Sequence, residues 1–263
     1  MITSTANERI KWVSKLQTKK KERDLQDVFV TEGMRMLKEV PKERLVSCFC
    51  TESFLRQYAW IEDTANRLEH GLEVVSDKVF DKITDTKTPQ GVLAVVKREH
   101  FDLDDYINDK SLFVILENIQ DPGNLGTIVR MSEAAGVDAV IMGSGTVDVY
   151  NPKTIRSSMG SIYRMPVIYS EDLLGTVDML KKKSVNIFAA TLDDSTEYYS
   201  CDYKKPTAFV IGNEGNGLTD EMVATASFNV NIPMSGEVES LNVAVATSIL
   251  CFEASRQRRM YIY

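Results

Sequence analysis

The stretch AFVIGNEGNG, residues 208–217, joins an apolar run to a loop that contains three glycines. Four consecutive apolar residues are typical of a strand that is covered on both faces of a parallel sheet. Similar transitions from strand to loop to helix surround DPGNLG at residues 121–126 and IPMSGEVESLN at residues 232–242. Because loops at the carboxyl ends of the strands converge in an open α/β sheet, these three loops predict one shared ligand site.

Apolar runs alternate with helical patterns throughout the second half of the chain, which predicts a parallel sheet with helices on both faces. Residues 1–96 carry shorter strand and helix patterns that predict a separate small α/β unit. Between them, residues 99–110 are polar and acidic, as expected where few contacts cross a boundary. The sequence therefore predicts an α/β protein with domains at residues 1–98 and 111–263 and a linker at 99–110.

Composition excludes several classes of protein. The 263 residues are 43% hydrophobic, enough for a core in each of two domains. The start of the chain lacks the apolar core of a signal peptide. The longest uncharged apolar stretch, residues 241–252, is far shorter than the roughly 20 residues that cross a bilayer. We therefore expect a cytoplasmic protein with no membrane partner.

The cysteines and histidines do not have the spacing of a metal site. Four cysteines show no Cys-x-x-Cys pair, and His70 and His100 lie far from them in sequence. The sequence therefore predicts no bound metal, and it favours buried, reduced thiols over a redox role.

The net charge of −7 argues against an indiscriminate nucleic-acid binder, but the charge is unevenly distributed. Residues 1–23 carry seven basic side chains and only two acidic ones. Such a segment can make a few selective phosphate contacts, or it can be a solvated helix face. Both interpretations remain open at this level.

The loop at 121–126 suits a reverse turn, after which Asn124 is expected to cap a helix that Gly136 ends. That helix is mostly apolar, so Arg130 within it must meet an anion, pair with an acid or lie in solvent. The loop at 212–217 lacks the Gly-Lys-Ser/Thr of a Walker motif and carries an acid without a lysine. It therefore favours a neutral or cationic ligand over a triphosphate.

The last apolar stretch predicts a helix that begins at Leu241, with Ser240 as its cap. Val245, Ile249 and Phe252 share one face of that helix, and other faces are also apolar. A helix of this kind is expected to be buried between the sheet and another surface, such as a second subunit.

Taken together, the three segments resemble the signature motifs of the SpoU (TrmH-type) RNA ribose 2′-O-methyltransferases of the SPOUT superfamily. The likeness continues through Arg156–Gly160 and covers residues 108–258. The first domain resembles the RNA-binding module of the same family through Leu16–Lys20, Val30–Gly33 and Thr88–Gly91.

The resemblance implies a carboxyl-terminal trefoil knot that binds S-adenosylmethionine in a bent shape, and catalysis in a homodimer. It implies that the cofactor is held at Gly212, Gly217, Ile232, Met234 and Leu241. It implies a methyl-transfer centre of Asn124, Arg130, Glu214, Ser240 and Asn242. Local charge together with the family likeness nominates Lys19, Lys20, Arg23 and Arg35 as RNA contacts.

The expected function is therefore methyl transfer from S-adenosylmethionine to a ribose 2′-hydroxyl. The extended amino-terminal module resembles the ribosomal-RNA branch, which favours ribosomal over transfer RNA. A guanidinium stays protonated, so we expect Arg130 to clamp a phosphate and polarise the hydroxyl while Glu214 or a water accepts the proton. The alternatives are transfer RNA as substrate, a non-catalytic RNA-binding ribosome-assembly factor, or a nucleotide-binding or hydrolytic enzyme. The last alternative is disfavoured because this sequence contains neither a Walker lysine nor a Gly-x-Ser-x-Gly elbow.

Overall fold

The computed structural model describes residues 1–65, 68, 71–192, 194–238 and 240–259. His70 and Glu239, which is part of the motif at 232–242, lie outside the described residues. The chain forms two compact units, one made of residues 1–99 and 148–163 and the other of residues 100–147 and 164–263. No helix in the described ranges is long and apolar enough to cross a membrane.

The strands are β1 (Val28–Glu32), β2 (Leu45–Thr51), β3 (Leu72–Val75), β4 (Val92–Lys97), β5 (Leu112–Leu116), β6 (Ala139–Gly143), β7 (Val167–Ser170), β8 (Asn186–Ala190), β9 (Thr196–Glu197), β10 (Thr207–Ile211) and β11 (Phe228–Asn231). The helices are α1 (Glu8–Thr18), α2 (Lys20–Gln26), α3 (Met34–Glu39), α4 (Glu52–Gln57), α5 (Trp60–Ala65), α6 (Asp77–Ile83), α7 (Pro122–Ala135), α8 (Pro152–Ser158), α9 (Leu173–Lys182), α10 (Asp220–Thr225) and α11 (Val243–Arg259).

The first unit is built on a sheet with the strand order β1-β4-β2-β3. Strand β4 is antiparallel to both of its neighbours, and β2 and β3 are parallel. Apolar residues recur at helical spacing in α1, so Ile10, Val13 and Leu16 are buried together with residues of α6 and the sheet. This is the small α/β unit that the sequence predicts.

Residues 148–163 also belong to the first unit, although the sequence analysis places them inside the predicted domain 111–263. Arg23 and Asp148 form an ion pair of 2.6 Å in which their side chains are only 4% and 12% exposed. The ring of Tyr150 stacks on Phe29 at 5.0 Å. The hydroxyl of Tyr163 donates to Thr31 Oγ1 at 2.9 Å. A segment distant in sequence thus completes the core of this unit.

Gly160 shows how closely this segment packs. Its φ is +95°, and a Cβ at this position would lie 2.0 Å from Glu39 Oε2. The left-handed backbone favours glycine, whereas the close approach involves the flexible end of the Glu39 side chain, which a Cβ would only have to displace.

The second unit has a sheet with the order β7-β6-β5-β10-β8-β11-β9, in which every described pairing is parallel. All five residues of β5, β6 and β10 are buried, as expected of strands covered on both faces. Residues of α9 and α10 pack on one face, and α7 and α11 pack against each other. The α/β fold class with a parallel sheet is confirmed, whereas the trefoil knot stays a prediction.

Candidate active site

The first loop of the predicted site follows β5 and leads into α7. Asp121 caps this helix, because its Oδ1 accepts from Asn124 N at 2.9 Å and Pro122 occupies the first helical position. The expectation that Asn124 is the cap is therefore wrong. Asn124 lies in the first turn instead, and its side-chain amide is left available for other contacts.

Glu214, from the loop after β10, reaches this helix start. Its carboxylate accepts from Gln120 N and Asp121 N, each at 3.1 Å, and from Asn124 Nδ2 at 3.0 Å. Partial burial alone raises the pKa of Glu214. The hydrogen bonds from Asn124, Gln120, its own backbone and Asp121 outweigh burial and hold the pKa below its usual value. Glu214 is thus an ionised group whose hydrogen bonds connect the loop after β10 to the start of α7.

Asn242, at the end of the third loop, connects that loop to the first one. Its Nδ2 donates to Asn124 Oδ1 at 2.9 Å, and its own Oδ1 accepts from Ala244 N and Val245 N. Asn242 is therefore the cap of α11, which begins at Val243 rather than at Leu241, and the expectation that Ser240 is the cap is wrong. A continuous chain of hydrogen bonds, Glu214–Asn124–Asn242, joins the three loops.

Arg130 and Ser240 are the two predicted catalytic residues outside this chain. Both are exposed, and neither side chain forms a hydrogen bond or ion pair with any residue that the structure describes. Of the alternatives for Arg130, pairing with an acid of the described chain is thus excluded. Its guanidinium can reach a ligand without first breaking an internal bond.

A cavity of about 660 Å³ lies between the loops that follow β5 and β10. This volume falls within the range of about 300–1,000 Å³ that is usual for small-molecule sites. Among the predicted cofactor residues, Gly217 is the one in the lining of this cavity. The others lie near the ends of the loops. Gly212 is buried, and Ile232, Met234 and Leu241 are half-buried. A Cβ on Gly212 would lie 2.2 Å from the carbonyl carbon of Gly217, so this position requires glycine. The lining consists of Asn118, Gln120, Asn213, Asn216, Gly217, Leu218, Thr219 and Asp220.

Asn213, which was not among the residues predicted from the sequence, organises the glycine-rich loop. Its Oδ1 accepts from Gly215 N and Asn216 N, and its Nδ2 donates to the carbonyl of Asn118 at 2.8 Å. Asparagine side chains in turns commonly accept from the backbone two residues on, so this role was accessible from sequence.

The motif-bearing region, residues 111–252, matches the family model of the SpoU rRNA Methylase family, and residues 7–94 match the MRM3-like substrate binding domain. The chain belongs to the SpoU rRNA methylase family. The family predicted from the sequence is thereby confirmed.

One relative and two solved structures are similar to this SpoU methylase over nearly their whole length. It is 34% identical to the 23S rRNA (guanosine(2553)-2′-O)-methyltransferase RlmP of Bacillus subtilis, with 95% of this chain and 97% of that protein covered. An rRNA methyltransferase from Sinorhizobium meliloti is 30% identical, with a TM-score of 0.87 and with 97% and 96% of the two chains covered. An AdoMet-bound structure of an rRNA methyltransferase from that organism has a TM-score of 0.83 at 30% identity, over 97% of each chain.

The cavity of this SpoU methylase suits a cationic donor such as S-adenosylmethionine. Asp220 is the charged side chain in its lining, which includes no lysine or arginine among the described residues. A sulfonium cation is attracted by such a site, whereas a triphosphate is repelled.

The four predicted RNA contacts of the first unit differ in their availability. Lys19 is exposed, Lys20 is exposed and pairs with Asp24, and Arg35 is exposed with Glu39 at 3.5 Å. Arg23, however, is buried, donates to the carbonyls of Leu16 and Gln17, and pairs with Asp148. Its prediction as an RNA contact is wrong, because no phosphate can reach this guanidinium without unpacking the unit.

Proposed function

We propose that this protein transfers the methyl group of S-adenosylmethionine to a ribose 2′-hydroxyl of 23S ribosomal RNA. The observation that carries the proposal is the Glu214–Asn124–Asn242 chain, which joins three loops beside a cavity suited to a cationic donor. The relatives named as 23S rRNA 2′-O-methyltransferases support this substrate class.

S-adenosylmethionine, when bound, supplies a methyl group that is already activated, so the protein has to orient the acceptor and manage one proton. Arg130 contacts a phosphate next to the reacting ribose and polarises its hydroxyl. Glu214 is a weak base because its pKa is lowered and its carboxylate already accepts hydrogen bonds from Asn124, Gln120 and Asp121 as well as from its own backbone. We therefore assign the proton to a water molecule and give Glu214 the task of positioning the first loop.

In this proposal the loops that carry Gly212, Gly217, Ile232, Met234 and Leu241 hold the cofactor through backbone groups, within the trefoil knot of the family. Ser240 has no partner among the described residues and contacts the incoming RNA. Residues 1–98, with Lys19, Lys20 and Arg35, bind RNA, and the methyltransferase domain begins after the linker at 99–110. A ribosomal substrate agrees with the cytoplasmic location that the sequence predicts.

The test is methyl transfer by the purified full-length chain with radiolabelled S-adenosylmethionine, offered 23S rRNA and bulk transfer RNA in parallel. Primer extension at low nucleotide concentration then maps the modified ribose. We expect label in 23S rRNA at a defined 2′-hydroxyl. Label in transfer RNA alone would refute the ribosomal substrate. RNA binding without any transfer would favour the non-catalytic assembly factor.

We also infer that the protein is a homodimer through α11. Val245 and Phe252 are 48% and 44% exposed in the single chain, and Ile249 lies between them on the same helical face. An exposed apolar stripe along an otherwise packed helix is typical of a subunit interface. The apolar pattern of the sequence predicts that this face is buried against a second surface, and a second copy of the chain supplies one.

Replacing Phe252 with glutamate is expected to convert the dimer to a monomer at micromolar concentration, because a charge on the stripe would have to be desolvated. Size-exclusion chromatography with light scattering measures the mass. Tyr169→Glu is the control, since Tyr169 is also a large aromatic side chain that is 55% exposed, but it lies on β7. A monomeric parent protein, or a Phe252→Glu variant that remains dimeric, contradicts the inference.

A further inference from the structure

Glu117 lies directly after β5, at the carboxyl end of the strand, and its carboxylate faces Thr219. Oε2 accepts from Thr219 N and Oε1 accepts from Thr219 Oγ1, both at 2.8 Å. One carboxylate therefore holds both donors of a single residue. A paired arrangement of this kind fixes position and orientation together, and bonds to a charged acceptor are the stronger ones.

Thr219 is where the glycine-rich loop ends. Its Oγ1 also accepts from Met222 N at 3.3 Å, so it caps α10. The other end of the loop is held beside the same glutamate, because Glu117 N donates to the carbonyl of Ile211 at 2.9 Å. Glu117 thus contacts residue 211 before the loop and residue 219 after it.

The loop between these two anchors is a tight hairpin whose shape depends on how its ends are held. Asn213 and Gly217 exchange two backbone hydrogen bonds, of 2.9 and 3.0 Å. Asn213, Asn216, Gly217, Leu218 and Thr219 all line the 660 Å³ cavity, whereas Glu117 itself does not. Glu117 therefore affects the shape of the cavity through its contact with Thr219 and does not contact a ligand in the cavity directly.

We propose that Glu117 is a positioning residue for the cofactor, which holds the 212–219 loop in its binding shape through Thr219. The proposal rests on the proposed function only in naming S-adenosylmethionine as the ligand. The role in shaping the loop is a property of the ligand-free chain, so it can be tested separately.

Glu117→Gln turns an acceptor into an amide, whose NH2 group cannot accept from Thr219. We expect the dissociation constant of S-adenosylmethionine, measured by calorimetry, to rise by about 10-fold or more, the order expected for losing a bond to a charged group. The rate at saturating cofactor should stay within about threefold, because a positioning residue acts on binding rather than on the transition state.

Hydrogen exchange of the ligand-free protein gives the second readout. The Thr219 amide, and those of residues 213–217, should exchange faster in Glu117→Gln than in the parent protein. Thr219→Val removes the side-chain donor from the other side of the same contact. It should weaken cofactor binding in the same direction, and the double variant should be no weaker than the worse single one.

Glu221→Gln is the matched control. Glu221 is exposed in the first turn of α10, two residues from Thr219, and its side chain forms no hydrogen bond with the described residues. The Glu221→Gln substitution removes one negative charge from the same region without changing a contact of the loop. The affinity for S-adenosylmethionine should therefore stay within about twofold of the parent value. Equal losses in Glu221→Gln and Glu117→Gln would overturn the proposal, because charge alone would then explain both. Unchanged affinity or unchanged exchange in Glu117→Gln would overturn it as well. A parent protein that does not bind S-adenosylmethionine would instead refute the proposed function and leave the exchange test standing.

Discussion

Replacing Arg130 with lysine lowers the rate of methyl transfer by about 100- to 1,000-fold, the effect typical of removing one donor that stabilises a transition state. Lysine keeps the positive charge but loses the planar fork of donors that contacts a phosphate and a hydroxyl at the same time. Arg130 is exposed and has no partner in the described part of the chain, so the substitution breaks no internal contact.

The rate is measured in a single turnover with saturating RNA, and cofactor affinity is measured by calorimetry. Affinity should stay within about twofold, because the effect lies in the transition state rather than in the cofactor complex. Arg164→Lys is the control, since Arg164 is also exposed and contacts Glu133 on the same helix, α7. If Arg130→Lys turned over at the parent rate, the clamping role of Arg130 would be wrong.

Replacing Asp148 with alanine destabilises the first unit by about 3–5 kcal/mol, the usual cost of leaving one member of a buried ion pair unpaired. The guanidinium of Arg23 keeps only the carbonyls of Leu16 and Gln17 as acceptors in this variant. A change of that size lowers the melting temperature by on the order of 10 °C.

Tryptophan fluorescence is the appropriate probe, because both tryptophans of the chain, Trp12 and Trp60, lie in the first unit. Asp85→Ala is the matched control. This substitution removes the carboxylate that pairs with Arg156. The Asp85 side chain is 49% exposed and the Arg156 side chain 33% exposed. Exposed ion pairs contribute at most about 1 kcal/mol to stability. A melting curve of Asp148→Ala that coincides with that of Asp85→Ala would show that the buried ion pair contributes no more to stability than the exposed one.

The comparison of Arg23 with Arg130 shows where prediction from sequence reaches its limit. Arg23 lies in a basic, polar segment and was expected to meet phosphate, yet it is buried. Arg130 lies in an apolar helix where an internal partner was plausible, yet it is exposed. The burial of each arginine depends on the residues that pack around it, and the partner of Arg23 is 125 positions away.

The sequence by itself determined the alternation of strands and helices in the second unit, the glycine-rich loops at the strand ends, and the family. These are local properties, since hydrophobic periodicity, turn residues and motif spacing are all read within a few neighbouring residues. Only the tertiary structure decided that residues 148–163 complete the first unit, that Asn242 rather than Ser240 caps α11, and that Glu117 holds Thr219. Each of these depends on which of several chemically similar groups the fold brings within about 3 Å, a distance that hydrogen bonds require and that no local pattern encodes.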